Sequence, residues 1–296
     1  MKSRGGPVIV HQMAKVASIA WVEAARPASD LAPVHVHWLA DRNLDALAAN
    51  LARPPDQNNF VNPLIPRDML RKGKRGQLAI EAARARGETI RVVTGMRDPV
   101  ARSISLVAFF ADFVGRAGGG LSVRDGADAE AVCSAIAGLW TAVLDNAAPA
   151  NSFDWLLWKL IGAYRSWFEE EFASVWGVDV LAGEVRHGEG AQRLTRPGLE
   201  VLAYRTEDMN RDAPVRAALE TTATCFLGLE TLTLREVNTA ATRRSYPLYR
   251  ATRDHFRLPE STLKAIYDAP AIRHFYGPGE IAAMKGRWGA AALTSA

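Results

Sequence analysis

Cysteine, lysine and long apolar runs are all scarce in this chain. Its 296 residues contain two cysteines, Cys133 and Cys225, far apart and each in an apolar, helix-like setting. That spacing excludes a disulfide framework and a cysteine-based metal site, and it fits a reducing compartment. No window approaches the roughly 18 uninterrupted apolar residues that a spanning helix requires. The N-terminus is basic, but its apolar stretch runs only from Pro7 to Val10 before His11 and Gln12 interrupt it, too short for a signal peptide. A cytoplasmic protein, with no transmembrane segment and at most peripheral membrane contact, is therefore expected. There is no internal repeat, no low-complexity linker and no GxxxxGK[ST] phosphate loop.

What is present describes a well-stocked globular chain: 48% hydrophobic, 23% charged, with a formal net charge of +4. Such a composition excludes a disordered tail or a fibrous rod. Lysine stands only at positions 2, 15, 72, 74, 159, 264 and 285, and every other basic residue is arginine. Arginine's planar fork suits phosphate, sulfate or carboxylate, although the bias reads first as compositional habit. The one dense basic run, Arg71 to Arg75 (RKGKR), has no interleaved aromatics of the kind that stack on bases. It reads as a solvated helix end, so no nucleic-acid partner is expected.

The order of elements indicates the architecture. Pro7 to Met13 (PVIVHQM) reads as a strand, followed by a tight loop and a helix from about Ile19 to Ala25. Pro33 to Leu39 (PVHVHWL) is a second strand, ahead of a polar, proline-rich connection from Pro54 to Pro66. An amphipathic helix over about Asp68 to Arg86 leads to a third strand, Thr89 to Met96. Asp98-Pro99 then opens a helix, the acid at a capping position and the proline in the first turn. Strands with β-branched apolar runs, separated by helices, predict an α/β fold: a three-layer parallel β-sheet with helices on both faces.

Helices are expected over about 128–147 and 153–176, the second rich in Trp and Phe at core-packing spacing. A strand pair, Val178 to Leu181 and Leu199 to Arg205, flanks a loop over 183–197. The remainder, to Trp288, reads as helices broken at Gly228, Pro247, Pro259 and Pro270. One domain over 1–296, with helical elaboration over about 117–177 and 212–296, fits this order.

Open sheets of this class bind ligands at the carboxyl ends of their strands, so the loops after Met13, Leu39 and Met96 carry the chemistry. The first, His11 to Ile19 (HQMAKVASI), turns a strand into a helix; helix N–H groups and a single lysine, Lys15, form an anion site there. Directly after the third strand comes Arg97-Asp98-Pro99-Val100-Ala101-Arg102-Ser103-Ile104-Ser105. Arg97 sits at a strand end, and Ser105 lies two turns into the helix on the side of Arg102, able to meet a second anion. Together the two loops suit a ligand with phosphate at both ends.

These two motifs resemble those of the sulfotransferases that use 3′-phosphoadenosine 5′-phosphosulfate (PAPS). That family's K-[ST]-G-[ST]-[ST] loop is similar to Lys15-Val16-Ala17-Ser18-Ile19, with Val16 and Ala17 in place of small polar and glycine residues. Its R-[DN]-P-x-x-R-x-x-S motif matches Arg97 to Ser105 in register. Within the superfamily the chain looks most like the bacterial putative capsular polysaccharide synthesis proteins, through HQMAKVAS, HVHWL, SWFEEEFASVWGVDVL, YRTEDMN and HFYGPGEI. The resemblance implies a P-loop-like sulfotransferase fold and transfer of a sulfuryl group from PAPS to an acceptor hydroxyl, on a carbohydrate or glycoconjugate. Adenosine 3′,5′-bisphosphate is the by-product, and no metal is implied. The cofactor-binding set would be Lys15, Val16, Ala17, Ser18, Ile19, Arg97 and Ser105.

Sulfuryl transfer builds charge on the bridging and leaving oxygens, which a lysine can stabilise; Lys15 is assigned this catalytic role. The acceptor hydroxyl needs a base. His35 and His37, two apart on the second strand, project to one face near its carboxyl end, and a neutral imidazole suits proton acceptance. His37, nearer the strand end, is preferred to His35, which occupies the position where glycan-modifying relatives resemble E-V-H-F and carry the acid. The competing reading is two satisfied sheet histidines. His11 is expected to be structural. Arg243 and Arg244 could fold over a phosphate, and Glu207-Asp208 could orient substrate, though an exposed helix start and a helix cap explain them as well. The alternative functions are a P-loop-type nucleotide-dependent kinase and a non-catalytic nucleotide-binding protein of polysaccharide synthesis. The acceptor's identity and the oligomeric state have no signature in the sequence.

Overall fold

The computed structural model describes residues 6–29, 32–54, 56–58, 60, 63–114, 128–183, 191–210, 213–235 and 245–290. Its residues group into two compact units that interleave along the chain: one built from 1–52, 63–97 and 166–239, the other from 53–62, 98–165 and 240–296.

The first unit is α/β. Five strands, β1 (Val8–His11), β2 (Val34–Val36), β3 (Ile90–Met96), β4 (Ala191–Arg196) and β5 (Leu199–Arg205), form one sheet in the order β2-β1-β3-β5-β4. The first three and β5 run parallel, while β4 pairs antiparallel with β5. The expected parallel sheet is thus corrected at one edge. The sequence reading puts a strand at 178–181 and a loop over 183–197. Instead, the Asp179 carboxylate accepts a hydrogen bond from Leu181 N at 2.8 Å and closes a 3-10 turn over Val180–Ala182, the local bonding that Asp offers in turns. The strand lies in the polar segment after it, and such charged, half-exposed residues are characteristic of a sheet edge.

Alternation along β1 sorts the two faces. Val8 and Val10 join Val93, Leu202 and Tyr204 in a core with Ala20 and Trp21 of α1 (Ser18–Ala25) and Leu219, Ala223 and Phe226 of α8 (Ala213–Leu227). On the opposite face lie His11, in register with Val36, and the helix α3 (Leu64–Ala85). There Gly76 passes so close that a Cβ would fall 2.7 Å from a Leu39 methyl and 3.0 Å from one of Val36. Helices therefore cover both faces, as the β-branched strands require. Between β2 and α3, helix α2 (Asp41–Leu51) was not anticipated. Two of its four buried residues are Asn43 and Asn50, which blur the apolar period. Arg71, Lys72, Lys74 and Arg75 are exposed on α3, within the helix rather than at its end.

The second unit is helical: α4 (Pro99–Val114), α5 (Ala129–Leu144), α6 (Ser152–Ser166), α9 (Tyr246–His255), α10 (Glu260–Tyr267), α11 (Pro270–Phe275) and α12 (Pro278–Trp288). Pro247 does not break a helix but sits in the first turn of α9, where its missing N–H costs nothing. The expected long helix from 153 to 176 is three segments: α6 and, already in the first unit, a π-helix over Trp167–Ala173 and the short turn α7 (Ser174–Trp176). Its Trp155, Trp167, Phe168, Phe172 and Trp176 are buried, as core packing requires. Among the described residues, no helix is long and apolar enough to cross a membrane. Cys133 and Cys225 form no disulfide.

Candidate functional site

The sheet order places β2 and β3 on opposite sides of β1. The chain reverses its winding direction there, and the crevice at the carboxyl ends of such strands is where open α/β sheets hold ligands. The two loops that issue from it are Gln12 to Ala17, after β1, and the segment opened by Arg97, after β3. Within the first unit the structure brings Arg97 to the first loop: its Nη1 donates to the carbonyl oxygen of Lys15 at 3.0 Å. Both cationic residues are half-buried.

The first loop is wound tightly. Lys15 (φ 67°) and Ala17 (φ 62°) both adopt the left-handed conformation, which costs a non-glycine residue about 1–2 kcal/mol. Tertiary bonds hold it there. Gln12 N donates to Val36 O at 3.3 Å. The buried Tyr204 hydroxyl reaches both Gln12 Oε1, at 3.0 Å, and the carbonyl oxygen of Val16. Burial holds that phenol protonated, far above its ordinary range.

Val16 turns its side chain fully into the core, while Ile19 is exposed. Of the expected cofactor residues, Val16 can therefore contribute only backbone to the loop's open side. Ser18, the first residue of α1, is buried. Ala17 offers no side chain to cap α1, and no acid stands in the first turn. Nothing of the helix's own competes with an anion for its N–H groups.

His35 and His37 meet ring to ring at 4.7 Å, edge to face. His37 lies just past the end of β2, and its Nδ1 sits 2.9 Å from the carbonyl oxygen of Gln12. A carbonyl can only accept, so Nδ1 carries the proton and Nε2 presents a lone pair. Burial, assisted by Lys72 and Lys15, lowers His37 to about 4, against the raising effect of its bond to Gln12. Burial, His37 and Lys72 lower His35 to about 2, and its Nε2 has no hydrogen-bond partner among the described residues. Both rings are neutral near pH 7. The arrangement separates them: His37 is oriented as a proton acceptor, and His35 is its neighbour.

The arginine motif divides between roles. Arg97 turns to the Lys15 loop, but Asp98 and Arg102 are buried structural groups of the second unit. Asp98 accepts from Val100 N (3.0 Å), Tyr267 Oη (2.7 Å) and Trp288 Nε1 (2.8 Å). Arg102 donates to the carbonyls of Leu160 and Ile161, both at 2.8 Å. Ser105 is half-buried on α4, within that same unit.

His11 is structural as expected: Nδ1 accepts from Trp176 Nε1 at 2.9 Å, and Nε2 faces Glu171 Oε1 at 3.0 Å. Asp208 pairs with Arg205 at 2.7 Å in the interior, so that acid closes a turn. Arg243 and Arg244 lie outside the described residues. Sequence reasoning missed Gln12, Tyr204 and Glu171. The last is one of three consecutive glutamates in an aromatic run, and only burial distinguishes it.

No family model, no curated protein and no solved structure matches this chain.

Proposed function

We propose that this chain is a PAPS-dependent sulfotransferase with a P-loop-like fold, acting on an acceptor hydroxyl of a carbohydrate or glycoconjugate. The observation that carries the reading is the bond from Arg97 to the backbone of Lys15. Two cationic residues, Lys15 and Arg97, 82 positions apart, meet at the switch point of a mostly parallel sheet. The residues present fit a nucleotide with phosphate at two positions. Lys15 and the uncapped α1 N-terminus suit the 5′ end, and Arg97, whose guanidinium carries five donors, suits the 3′-phosphate. Ser105 enters through the resemblance of its motif.

When bound, PAPS supplies an activated sulfuryl group on a phosphate oxygen. Lys15 would hold and neutralise the oxygen that gains charge as the S–O bond to phosphate breaks. His37 Nε2 would take the acceptor's proton as the new S–O bond forms, and release it to solvent afterwards. His37 Nδ1, anchored on Gln12, keeps the ring in the tautomer this step needs.

Calorimetric titration with adenosine 3′,5′-bisphosphate in EDTA tests the reading. Micromolar binding is expected, weakened about tenfold or more in Lys15→Ala and Arg97→Ala, since each removes a charge-assisted contact of about 1.5–3 kcal/mol. Tighter binding of ATP with magnesium would replace this reading with a P-loop-type kinase. Bisphosphate binding without transfer of labelled sulfate to any hydroxylated acceptor would leave a non-catalytic nucleotide-binding protein.

A further inference from the structure

Glu171 stands on the π-helix next to Glu169 and Glu170, both exposed, yet its own side chain is 1% exposed. Four donors surround it. Oε1 accepts from Leu39 N (2.5 Å), Ala40 N (2.9 Å) and His11 Nε2 (3.0 Å), and Oε2 accepts from Asn43 Nδ2 (2.5 Å). His11 is the donor because its Nδ1 already accepts from Trp176 Nε1. Among the described residues, no lysine or arginine pairs with this carboxylate. Burial alone would raise its carboxyl, but the bonds from His11, Leu39 N and Asn43 outweigh that and hold it below the usual range.

A buried carboxylate with no lysine or arginine beside it among the described residues is costly unless every lone pair is met, and here the donors come from two strand ends. Leu39, Ala40 and Asn43 form the turn from β2 into α2, whose N-cap, Ala40, has no capping side chain. Glu171 supplies that cap from a distant element. His11 is the last residue of β1 and directly precedes Gln12, whose carbonyl orients His37. His37 itself lies two residues before Leu39.

We infer that Glu171 is a positioning residue for His37. By clamping the ends of β1 and β2 with one carboxylate, it sets the register between the Gln12 carbonyl and the His37 ring, and so selects which ring nitrogen is left to accept a proton. Its importance for turnover rests on the sulfotransferase reading; its effect on His37 does not. The wider turn of the π-helix agrees with this role, since such segments recur where a side chain must be aimed at a functional site.

The test is a pH titration of the full-length protein with ¹⁵N-labelled histidine, followed by NMR. In the wild type His37 holds one tautomer, Nδ1–H, and stays neutral down to about pH 4. Glu171→Ala is expected to mix the two tautomers and move the midpoint at least one unit towards 6.5. The other groups that act on this ring (His35, His11, Lys15 and Lys72) are present in every variant. Glu171→Gln, which keeps an acceptor for Leu39 and Ala40, should retain the single tautomer. If the alanine variant does not fold, Glu171→Asp keeps the charge but shortens the arm, and should shift His37 in the same direction.

For turnover, kcat is expected to fall at least tenfold in Glu171→Ala, with bisphosphate affinity within twofold of wild type and rescue in Glu171→Gln. An unchanged tautomer and midpoint in a folded alanine or aspartate variant would overturn the inference. Failure of the wild type to bind bisphosphate would overturn the sulfotransferase reading and leave the NMR result to judge Glu171 separately.

Discussion

Replacing Asp98 by alanine removes the cap on Val100 N and the bonds from Tyr267 Oη and Trp288 Nε1 at once. Tyr267 is fully buried and Trp288 is 2% exposed, so water cannot replace the lost acceptor. The cap contributes about 1 kcal/mol, and each stranded donor costs about 1–3 kcal/mol. The expected loss is therefore roughly 3–7 kcal/mol, a large share of the 5–15 kcal/mol typical of a folded protein. Asn is the graded variant. Its Oδ1 still accepts from Val100 N and Tyr267, but its Nδ2 would face the Trp288 N–H, two donors without an acceptor between them, at about 1–3 kcal/mol each. Urea unfolding followed by far-ultraviolet circular dichroism and tryptophan fluorescence measures both. Arg97→Ala, one residue away and half-buried, is the control, expected to lose ligand binding with a stability change under about 1 kcal/mol. An Asp98→Ala midpoint within about 1 kcal/mol of wild type would refute the structural assignment of Asp98 and, with it, the division of the arginine motif.

Three further outcomes are expected. Ala17→Gly should raise the melting temperature modestly, because φ 62° costs alanine about 1–2 kcal/mol, of which glycine's looser unfolded chain takes back about 0.4–1 kcal/mol; a fall in thermal melting would show the loop is not left-handed at this position. His37→Asn should lower kcat by roughly 10²–10⁴-fold while bisphosphate affinity stays within twofold, and an unaltered rate in a labelled-sulfate assay would exclude His37 as the base. Stability should fall as pH drops from about 6.5 towards 4. In that window the unfolded chain protonates His35 and His37, whereas the fold keeps both neutral, so the unfolded state binds more protons. Melting curves between pH 7 and 5 should flatten in a His35→Asn, His37→Asn double variant, and equal slopes would contradict the lowered titration of these two rings.

The division between sequence and tertiary structure follows from the range of the forces involved. Apolar, β-branched runs at Val8–His11 and Ile90–Met96, and the Asp98-Pro99 start of α4, are local signals, and the strands and helix form where those signals lie. The aromatic run after Phe153 was legible as core because spacing alone marks a buried helix face, although the π-helix inside it was not. The positions of Lys15, Arg97 and His37 at strand ends were legible too, since alternation of strand and helix implies the sheet and its carboxyl edge.

What the sequence could not determine depends on partners far along the chain. Asp98 and Arg102 stand in one motif with Arg97, yet their partners, Tyr267, Trp288, Leu160 and Ile161, come from other helices and make them structural. Glu169, Glu170 and Glu171 are identical in type, and only the packing of the π-helix decides which one enters the interior. The polar segment at Ala191–Arg196 became a strand because β5 offered it an unpaired edge. Burial and hydrogen-bond partners are properties of the assembled fold, and here they decide which charged residues can meet a ligand and which hold the fold together.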